Sequence, residues 1–222
     1  MSPEIFNKAV KWVKEKGMGE IYLHGGEASL HPLIKDFALQ AKDEGIKTYM
    51  FTNYLIPESI NDLDGVVDNI MISYYNQKDL PKQKDFESQL MLTTLVFKER
   101  FATMADLDRF IDEKSQLEMK MRFVTLNPAT EWAAKNETVD YLEELFDNTN
   151  DEDILLWRGK VAIYYRDCLM KFNNKQIFKR NRWNMAIDGE IRNDFQNNHF
   201  YQEKKSEMPL EYYRNLRAQQ RQ

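Results

Sequence analysis

Hydrophobic and polar positions at the start of the chain follow two different periods in turn. Between Ser2 and Gly17 apolar side chains recur every three or four positions, which predicts an amphipathic helix with Ser2 as its N-cap. The apolar run at 20–24 predicts a strand, and helical spacing returns from Pro32 to Glu44. The chain therefore begins with a helix, a strand and a second helix.

The same alternation continues to residue 126. Further strands are predicted at 46–52, 66–73, 90–97 and 117–126, and further helices at 57–63 and 103–114. Strands that alternate with helices over short connections are typical of parallel βαβ units with right-handed crossovers. We therefore expect an α/β fold in which the carboxyl ends of the parallel strands meet at one rim.

One connection in this series is unusually long. Residues 74–88 are polar and include Pro81, so the pattern predicts a loop between two of the strands. Long loops in compact domains are often binding loops or lids, and an ordinary surface loop explains the pattern equally well. Both interpretations stay open.

The periodicity weakens after Pro128. A helix is predicted at 138–146, an acidic linker at 147–153, a strand at 160–165, a hairpin at 184–194 that turns on Asp188-Gly189, and a helical tail at 209–222. We expect two parts, a barrel-like core at 1–128 and a small α+β C-terminal extension at 129–222.

Charge is distributed unevenly over a composition that is typical of a globular protein. The 222 residues are 42% hydrophobic and 30% charged, with a net charge of −5. Residues 158–222 carry fourteen basic and seven acidic side chains, whereas residues 1–157 have a net charge of −12. This asymmetry indicates either an anionic partner or attraction between the two parts.

Targeting signals are not apparent in the sequence. No apolar run reaches the length of a membrane span, and the first ten residues lack the apolar core of a signal peptide. We expect a cytoplasmic protein with no membrane partner.

Polar side chains follow three consecutive predicted strands. Gly25-Gly26-Glu27 comes after the first, Thr52-Asn53 ends the second, and Ser73 ends the third. Two glycines let the backbone turn with positive φ and let a ligand approach the main chain, and α/β folds place ligands at the carboxyl ends of their strands. The simpler interpretation is a plain connection in which Glu27 lies favourably near a helix N-terminus.

The amino-acid sequences of these segments resemble motifs of the radical S-adenosylmethionine (radical SAM) superfamily. LHGGEASLHP is similar to the family's GGEPLLHP, FTNYL to its TNG turn, and DNIMISYY to its fourth strand, over residues 1–128. The resemblance implies a partial (β/α)6 TIM-like barrel, here lacking its first strand, that binds S-adenosylmethionine (SAM). The implied contacts are Gly25, Gly26 and Glu27 with the SAM amine, and Thr52, Asn53 and Ser73 along the methionyl and ribose portions.

The sequence departs from this family at the iron–sulfur cluster. The family's reductive chemistry depends on a [4Fe-4S] cluster bound by CxxxCxxC, whereas this chain has one cysteine, Cys168. His24, His31 and His199 do not reproduce that spacing. We therefore predict no metal site within these residues, assign no catalytic residue, and expect Cys168 to be a small buried hydrophobe.

Two explanations of the departure stay open. In the first, the sequence is N-terminally incomplete, through an internal start, a truncation or a split gene, and the cluster-binding segment lies outside it. In the second, the protein belongs to a lineage that lost the cluster and kept the pocket for binding. The C-terminal part resembles a SPASM/twitch-like extension without its cluster, because Gly189 is followed five residues later by Asp194 where that family has a cysteine.

These features support two functional hypotheses. The first is the SAM-binding core of a radical SAM-type enzyme that abstracts hydrogen from a peptide, a protein or another substrate. The second is a non-catalytic binding protein on the same scaffold, with nucleic acid as a partner of the basic segment 171–182. In that segment and just after it, Phe172, Phe178 and Trp183 would stack on bases.

Overall fold

The computed structural model describes residues 1–126, 131–137, 140–150, 153–157, 160–176, 183–185 and 191–193. The helices are α1 (Pro3–Glu15), α2 (Ile34–Asp43), α3 (Glu58–Asn61), α4 (Met104–Ser115), α5 (Glu131–Lys135) and α6 (Asp140–Asp147). The strands are β1 (Glu20–Leu23), β2 (Lys47–Thr52), β3 (Asn69–Ser73), β4 (Gln89–Val96), β5 (Lys120–Thr125), β6 (Leu155–Trp157), β7 (Lys160–Tyr165), β8 (Cys168–Gln176), β9 (Trp183–Met185) and β10 (Ile191–Asn193).

The described residues divide into two compact units. The first contains Met1–Thr93, Lys114–Lys120 and residues from Trp183–Arg192, and the second contains Thr94–Glu113 and residues from Met121–Arg182 and beyond. Strand β4 begins in the first unit and ends in the second. The predicted division at residue 128 into a core and an extension stays a prediction.

The sheet of the first unit is parallel throughout. Hydrogen bonds order its strands β1-β2-β3-β4, with Leu23 beside Met50, and Ser73 beside Thr93. Helices separate β1, β2 and β3 along the chain, which is the alternation that the sequence predicted. This mixed α/β arrangement with a mostly parallel sheet confirms the predicted fold class and fits a partial TIM-like barrel.

Alternating burial fixes which face of this sheet packs against helices. On β2, Thr48, Met50 and Thr52 are buried, and the residues between them are half-buried. Helix α2 contributes Ala38 and Ala41, both at 0% exposure, and such small side chains let a helix lie close to a sheet. The buried face therefore holds β2 and its neighbours in a fixed register.

The sheet of the second unit is mixed. The end of β4 is followed by β5 and then β8, which pairs with β5 in parallel, while β7 and β6 continue the sheet antiparallel. The strand predicted at 160–165 is confirmed as β7, but the sequence did not predict β6 or β8. The predicted pairing near 184–194 agrees with β9 and β10, which form a two-stranded sheet. The turn at Asp188-Gly189 and the tail at 209–222 lie outside the described residues.

Strand β8 corrects one of the sequence-based expectations. Phe172, predicted to stack on nucleic-acid bases, is 1% exposed and packs edge-to-face against Phe146 with ring centroids 5.4 Å apart. A ring in the core cannot reach a base, so this role for Phe172 is wrong. Phe178 lies outside the described residues.

The end of the long loop is tied to the segment before β3 by one carboxylate. Asp64 accepts hydrogen bonds from the backbone N–H groups of Gly65 (3.0 Å), Glu87 (3.1 Å) and Ser88 (2.8 Å). Burial acts to raise the pKa of the Asp64 carboxyl, but the hydrogen bonds from Ser88, Glu87 and Gly65 outweigh it and hold the pKa below its ordinary value of 3.8.

We expect this carboxylate to contribute to acid sensitivity. Because its pKa is lower in the folded state, its stabilising contribution is present above pH 3.8 and is lost as the pH falls below that value. Asp64→Asn should therefore be less stable than wild type at neutral pH and lose less free energy of unfolding between pH 5 and pH 3. Urea unfolding at several pH values measures both quantities. Parallel pH profiles for the two proteins would contradict the assignment.

Candidate ligand site at the rim of the first unit

The parallel register brings the predicted site residues to one edge of the first unit. Strands β1, β2 and β3 all end there. Glu27 follows β1, and its carboxylate contacts the backbone directly after β2. Its Oε2 accepts a hydrogen bond from the backbone N–H of Asn53 at 2.9 Å. Residues 26 positions apart in the sequence are therefore in direct contact, at the rim where the strand ends were expected to meet.

The two glycines turn the chain directly after β1. Gly25 has φ +114° and Gly26 has φ +53°, and both residues are exposed. A Cβ atom built on either would meet nothing within 4 Å, so backbone conformation, and not packing, requires glycine here. The main chain at this turn is open to an approaching ligand.

Glu27 is held rigidly by donors from two sides. Its Oε1 accepts from the hydroxyl of Ser29 at 2.8 Å and from the Ser29 N–H at 3.4 Å, which makes Glu27 the N-cap of a short 3₁₀ turn at Ala28–Leu30. The Ser29 hydroxyl lies 2.8 Å from that of Ser59. A carboxylate offers about four acceptor positions, so one remains for a cationic ligand. Glu27 is therefore the local cap that the simpler interpretation expected, and its binding role stays a prediction.

The Thr52-Asn53 pair serves both the turn and the rim. Thr52 is 4% exposed, and its Oγ1 accepts from the backbone N–H of Tyr54 at 3.0 Å, so its hydroxyl stabilises the turn. Tyr54 has φ +54° where the family's TNG turn has glycine. Asn53 is half-buried, and its Oδ1 accepts from the Leu55 N–H at 3.0 Å. Both side chains therefore bond within the turn, and Asn53 is the more exposed of the two.

Two further residues at the rim were not found by the sequence analysis. Gln77, after β3, donates from Nε2 to the carbonyl oxygens of Ser73, at 2.9 Å, and Asn53. Thr93 lies beside Ser73 on β4, and its buried Oγ1 has no hydrogen-bond partner within the described part of the chain. The parallel register of the third and fourth predicted strands was the one available signal for Thr93. Gln77 sits in the polar loop without any distinguishing pattern.

The residues at this rim fit an amino-acid-bearing nucleoside better than a metal cluster. They offer a carboxylate, open backbone, an amide and hydroxyl groups, which match an amine, a carboxylate and a ribose. No group of three or more His, Cys, Asp or Glu that could hold a metal ion occurs among the described residues. His31 is engaged in its own turn, where its Nδ1 accepts from the Leu33 N–H at 3.2 Å. His199 lies outside the described residues.

Cys168 is confirmed as a buried small hydrophobe. It lies at the start of β8 with 2% exposure, and burial raises the pKa of its thiol to about 11. The thiolate, which is the form that binds iron, is therefore disfavoured at neutral pH.

Among the helices of the described residues, none combines the length and the apolar character needed to cross a bilayer.

Comparisons with known proteins give matches only among solved structures. No family model matches the chain, and no curated protein matches it. The chain is similar to Streptococcus suis SuiB bound to its precursor peptide SuiA, with 10% identity over 59% of this chain and 34% of that chain and a TM-score of 0.45. It is also similar to SuiB bound to S-adenosylmethionine, with 11% identity, 60% and 36% coverage and a TM-score of 0.45.

A third similar structure is TYW1 with a lysine-pyruvate adduct bound, with 10% identity over 80% of this chain and 72% of that chain and a TM-score of 0.47. The chain spans about a third of the length of the two SuiB chains. SuiB and TYW1 are radical SAM enzymes, the family that the Gly25-Gly26-Glu27 segment of this chain resembles.

Proposed function

We propose that this chain is the SAM-binding core of a radical SAM-type enzyme. The observation that carries the proposal is the position of Glu27, which follows two exposed glycines and contacts the backbone of Asn53 on the next strand. A fixed carboxylate beside open main chain can bind a primary ammonium group by charge-assisted hydrogen bonds. The resemblance of the sequence to the family assigns the same role to the same three residues.

The remaining contacts follow from the order of the strand ends. Gly25 and Gly26 supply carbonyl oxygens for the amine, and Glu27 supplies the charge. The amide of Asn53 and the hydroxyl of Ser73 lie further along the rim, within the first unit, for the methionyl carboxylate and the ribose. Thr52 contributes through the turn that it stabilises.

The cluster of the family is not assigned to these residues. In radical SAM enzymes a [4Fe-4S] cluster supplies the electron that cleaves SAM, and cysteine thiolates hold it. This sequence contributes one cysteine, which is buried and carries a raised pKa. Reductive cleavage therefore requires thiolate ligands from outside these 222 residues.

The substrate and cellular compartment belong to the same proposal. The resemblance of the C-terminal part to a SPASM/twitch-like extension favours a peptide or protein substrate, and we place the protein in the cytoplasm. The alternative function is a binding protein that uses the same rim without catalysis. SAM binding is common to both functions. A strand followed by CxxxCxxC, encoded in frame immediately upstream of Met1 in the natural gene, would support the enzyme.

Titration of the full chain with SAM tests the proposed site. We expect saturable binding by isothermal titration calorimetry, and binding weaker by at least about tenfold for 5′-methylthioadenosine, which lacks the amine and the carboxylate. This probe keeps the adenosine but is a neutral thioether, so it also lacks the sulfonium charge of SAM. S-adenosylhomocysteine, a neutral thioether that keeps the amine and the carboxylate, is therefore the matched control, and its difference from 5′-methylthioadenosine reports the amino-acid end. Failure of SAM to bind, or equal affinity for both compounds, would overturn the proposal.

A further inference from the structure

Gln77 connects the ends of two rim strands through one side chain. Its Nε2 donates to the carbonyl oxygens of Asn53, after β2, and of Ser73, at the end of β3. Its Oε1 accepts from the backbone N–H of Tyr75 at 2.6 Å. A primary amide has two donors and one acceptor oxygen, and all three functions are used here.

This arrangement bears directly on the two residues proposed to contact the ligand. Beyond the ends of parallel strands the ladder of backbone hydrogen bonds stops, so carbonyl groups there need other partners. Asn53 and Ser73 obtain theirs from the same nitrogen, which fixes the spacing of the two backbones. On the other side, Glu27 fixes Asn53 through its N–H at 2.9 Å. Asn53 is therefore held from both neighbouring strands.

The long loop contains a second glutamine with a similar local role, whose side-chain hydrogen bonds within the described residues go to residues 86–90 and not to the rim residues. Gln83 donates from Nε2 to the carbonyl oxygen of Ser88 at 2.9 Å, and its Oε1 accepts from the N–H of Leu90 at 2.7 Å. Gln77 and Gln83 together anchor the loop at two points. The stretch between them, 78–82, is half-buried or exposed. Gln83 is therefore a matched control for Gln77, because its hydrogen bonds stabilise the loop alone.

We propose that Gln77 is a positioning residue of the ligand site, which sets the distance between Asn53 and Ser73 and thereby the affinity for the ligand that both contact. The inference rests on the proposed SAM site. Gln77 itself touches the backbone of the site residues, so it acts through them. Loss of its donors should let the two strand ends move independently.

Three variants separate positioning from stability. Gln77→Met removes the donors without adding charge, and Gln77→Lys restores a donor that can reach two carbonyl oxygens. Gln83→Met removes the corresponding side-chain hydrogen bonds of the second glutamine. We expect Gln77→Met to bind SAM at least about tenfold more weakly than wild type, whereas Gln83→Met stays within about threefold at a similar loss of thermal stability. Gln77→Lys should recover most of the affinity. Equal affinity of Gln77→Met and wild type would overturn the inference.

Amide hydrogen exchange in the absence of ligand keeps this test independent of the proposed function. The N–H of Tyr74 donates to the carbonyl oxygen of Thr93 at 2.7 Å, and that of Asn53 donates to Glu27. Gln77→Met should accelerate exchange of both amides by about tenfold, and Gln83→Met should leave them unchanged. If wild type does not bind SAM but these rates change, the proposed function fails and the positioning role stands. Unchanged rates overturn the positioning role.

Discussion

Replacing Glu27 by alanine is expected to abolish measurable SAM binding and to lower the free energy of unfolding by about 2–4 kcal/mol. The substitution removes the acceptor of three hydrogen bonds, from the Ser29 N–H, the Ser29 hydroxyl and the Asn53 N–H. Ser29 is 7% exposed, so its polar groups cannot turn to water without local rearrangement. Urea unfolding and calorimetric titration with SAM measure the two effects.

Glu27→Gln is the matched control for this change. Glutamine has the same length and keeps one carbonyl oxygen as an acceptor, but it carries no charge. Its amide nitrogen cannot accept a hydrogen bond, so it cannot replace the second carboxylate oxygen. We expect a smaller loss of stability than for alanine, together with a loss of SAM affinity of at least about tenfold. A glutamine variant that binds SAM as wild type does would show that the carboxylate is only a cap of the Ala28–Leu30 turn.

The clustering of the rim residues follows from sequence because it depends on periodicity alone. Each strand that leads to Glu27, Asn53 or Ser73 has an apolar pattern and is preceded by a helix, so a parallel sheet places their ends together whatever the details of packing. The positions of the further side chains at these strand ends cannot be predicted from periodicity. Thr93 acquires its position from the register between β3 and β4, and Gln77 from the conformation of the loop after β3, and neither follows from a local sequence pattern.

Strand β8 of the second unit was missed for a different reason. The β7–β8 turn is made by Arg166 and Asp167, at φ +48° and +61°, where such hairpins usually have Asn-Gly. The tertiary structure compensates for the unfavourable turn residues, since Arg166 pairs with Asp108 at 3.0 Å and with Asp112, both on α4. Without a turn signal, the sequence did not predict a strand here, and residues from 171 onwards were assigned to the basic segment 171–182.

The start of strand β5 also differs from the position that the apolar pattern predicted. The sequence placed its start at Leu117, because the apolar pattern begins there, whereas the strand begins at Lys120. Glu118 has φ +56°, which interrupts extended backbone, and Leu117 is buried in the preceding turn with its N–H bonded to the carbonyl of Lys114 at 3.0 Å. Hydrophobicity located the core contact correctly but not the conformation that delivers it.

The second large effect is expected at Phe172. Phe172→Ala should lower the free energy of unfolding by about 3–5 kcal/mol, because it removes a ring that is 1% exposed and leaves a cavity beside Phe146. Tyr164→Ala is the control on the adjacent strand β7, where the tyrosine is 63% exposed and a loss below about 1 kcal/mol is expected. Urea unfolding of both variants gives the comparison.

This comparison also decides how the basic segment at 171–182 is to be understood. A ring that stacks on bases must be exposed in the free protein, so its removal would weaken retention on single-stranded RNA and leave stability nearly unchanged. A core ring gives the opposite result. If Phe172→Ala unfolds at nearly the same urea concentration as wild type, the packing of β8 described here is wrong. A large loss for Phe172 with a small one for Tyr164 shows that the Phe172 ring belongs to the core and is not available to stack on bases.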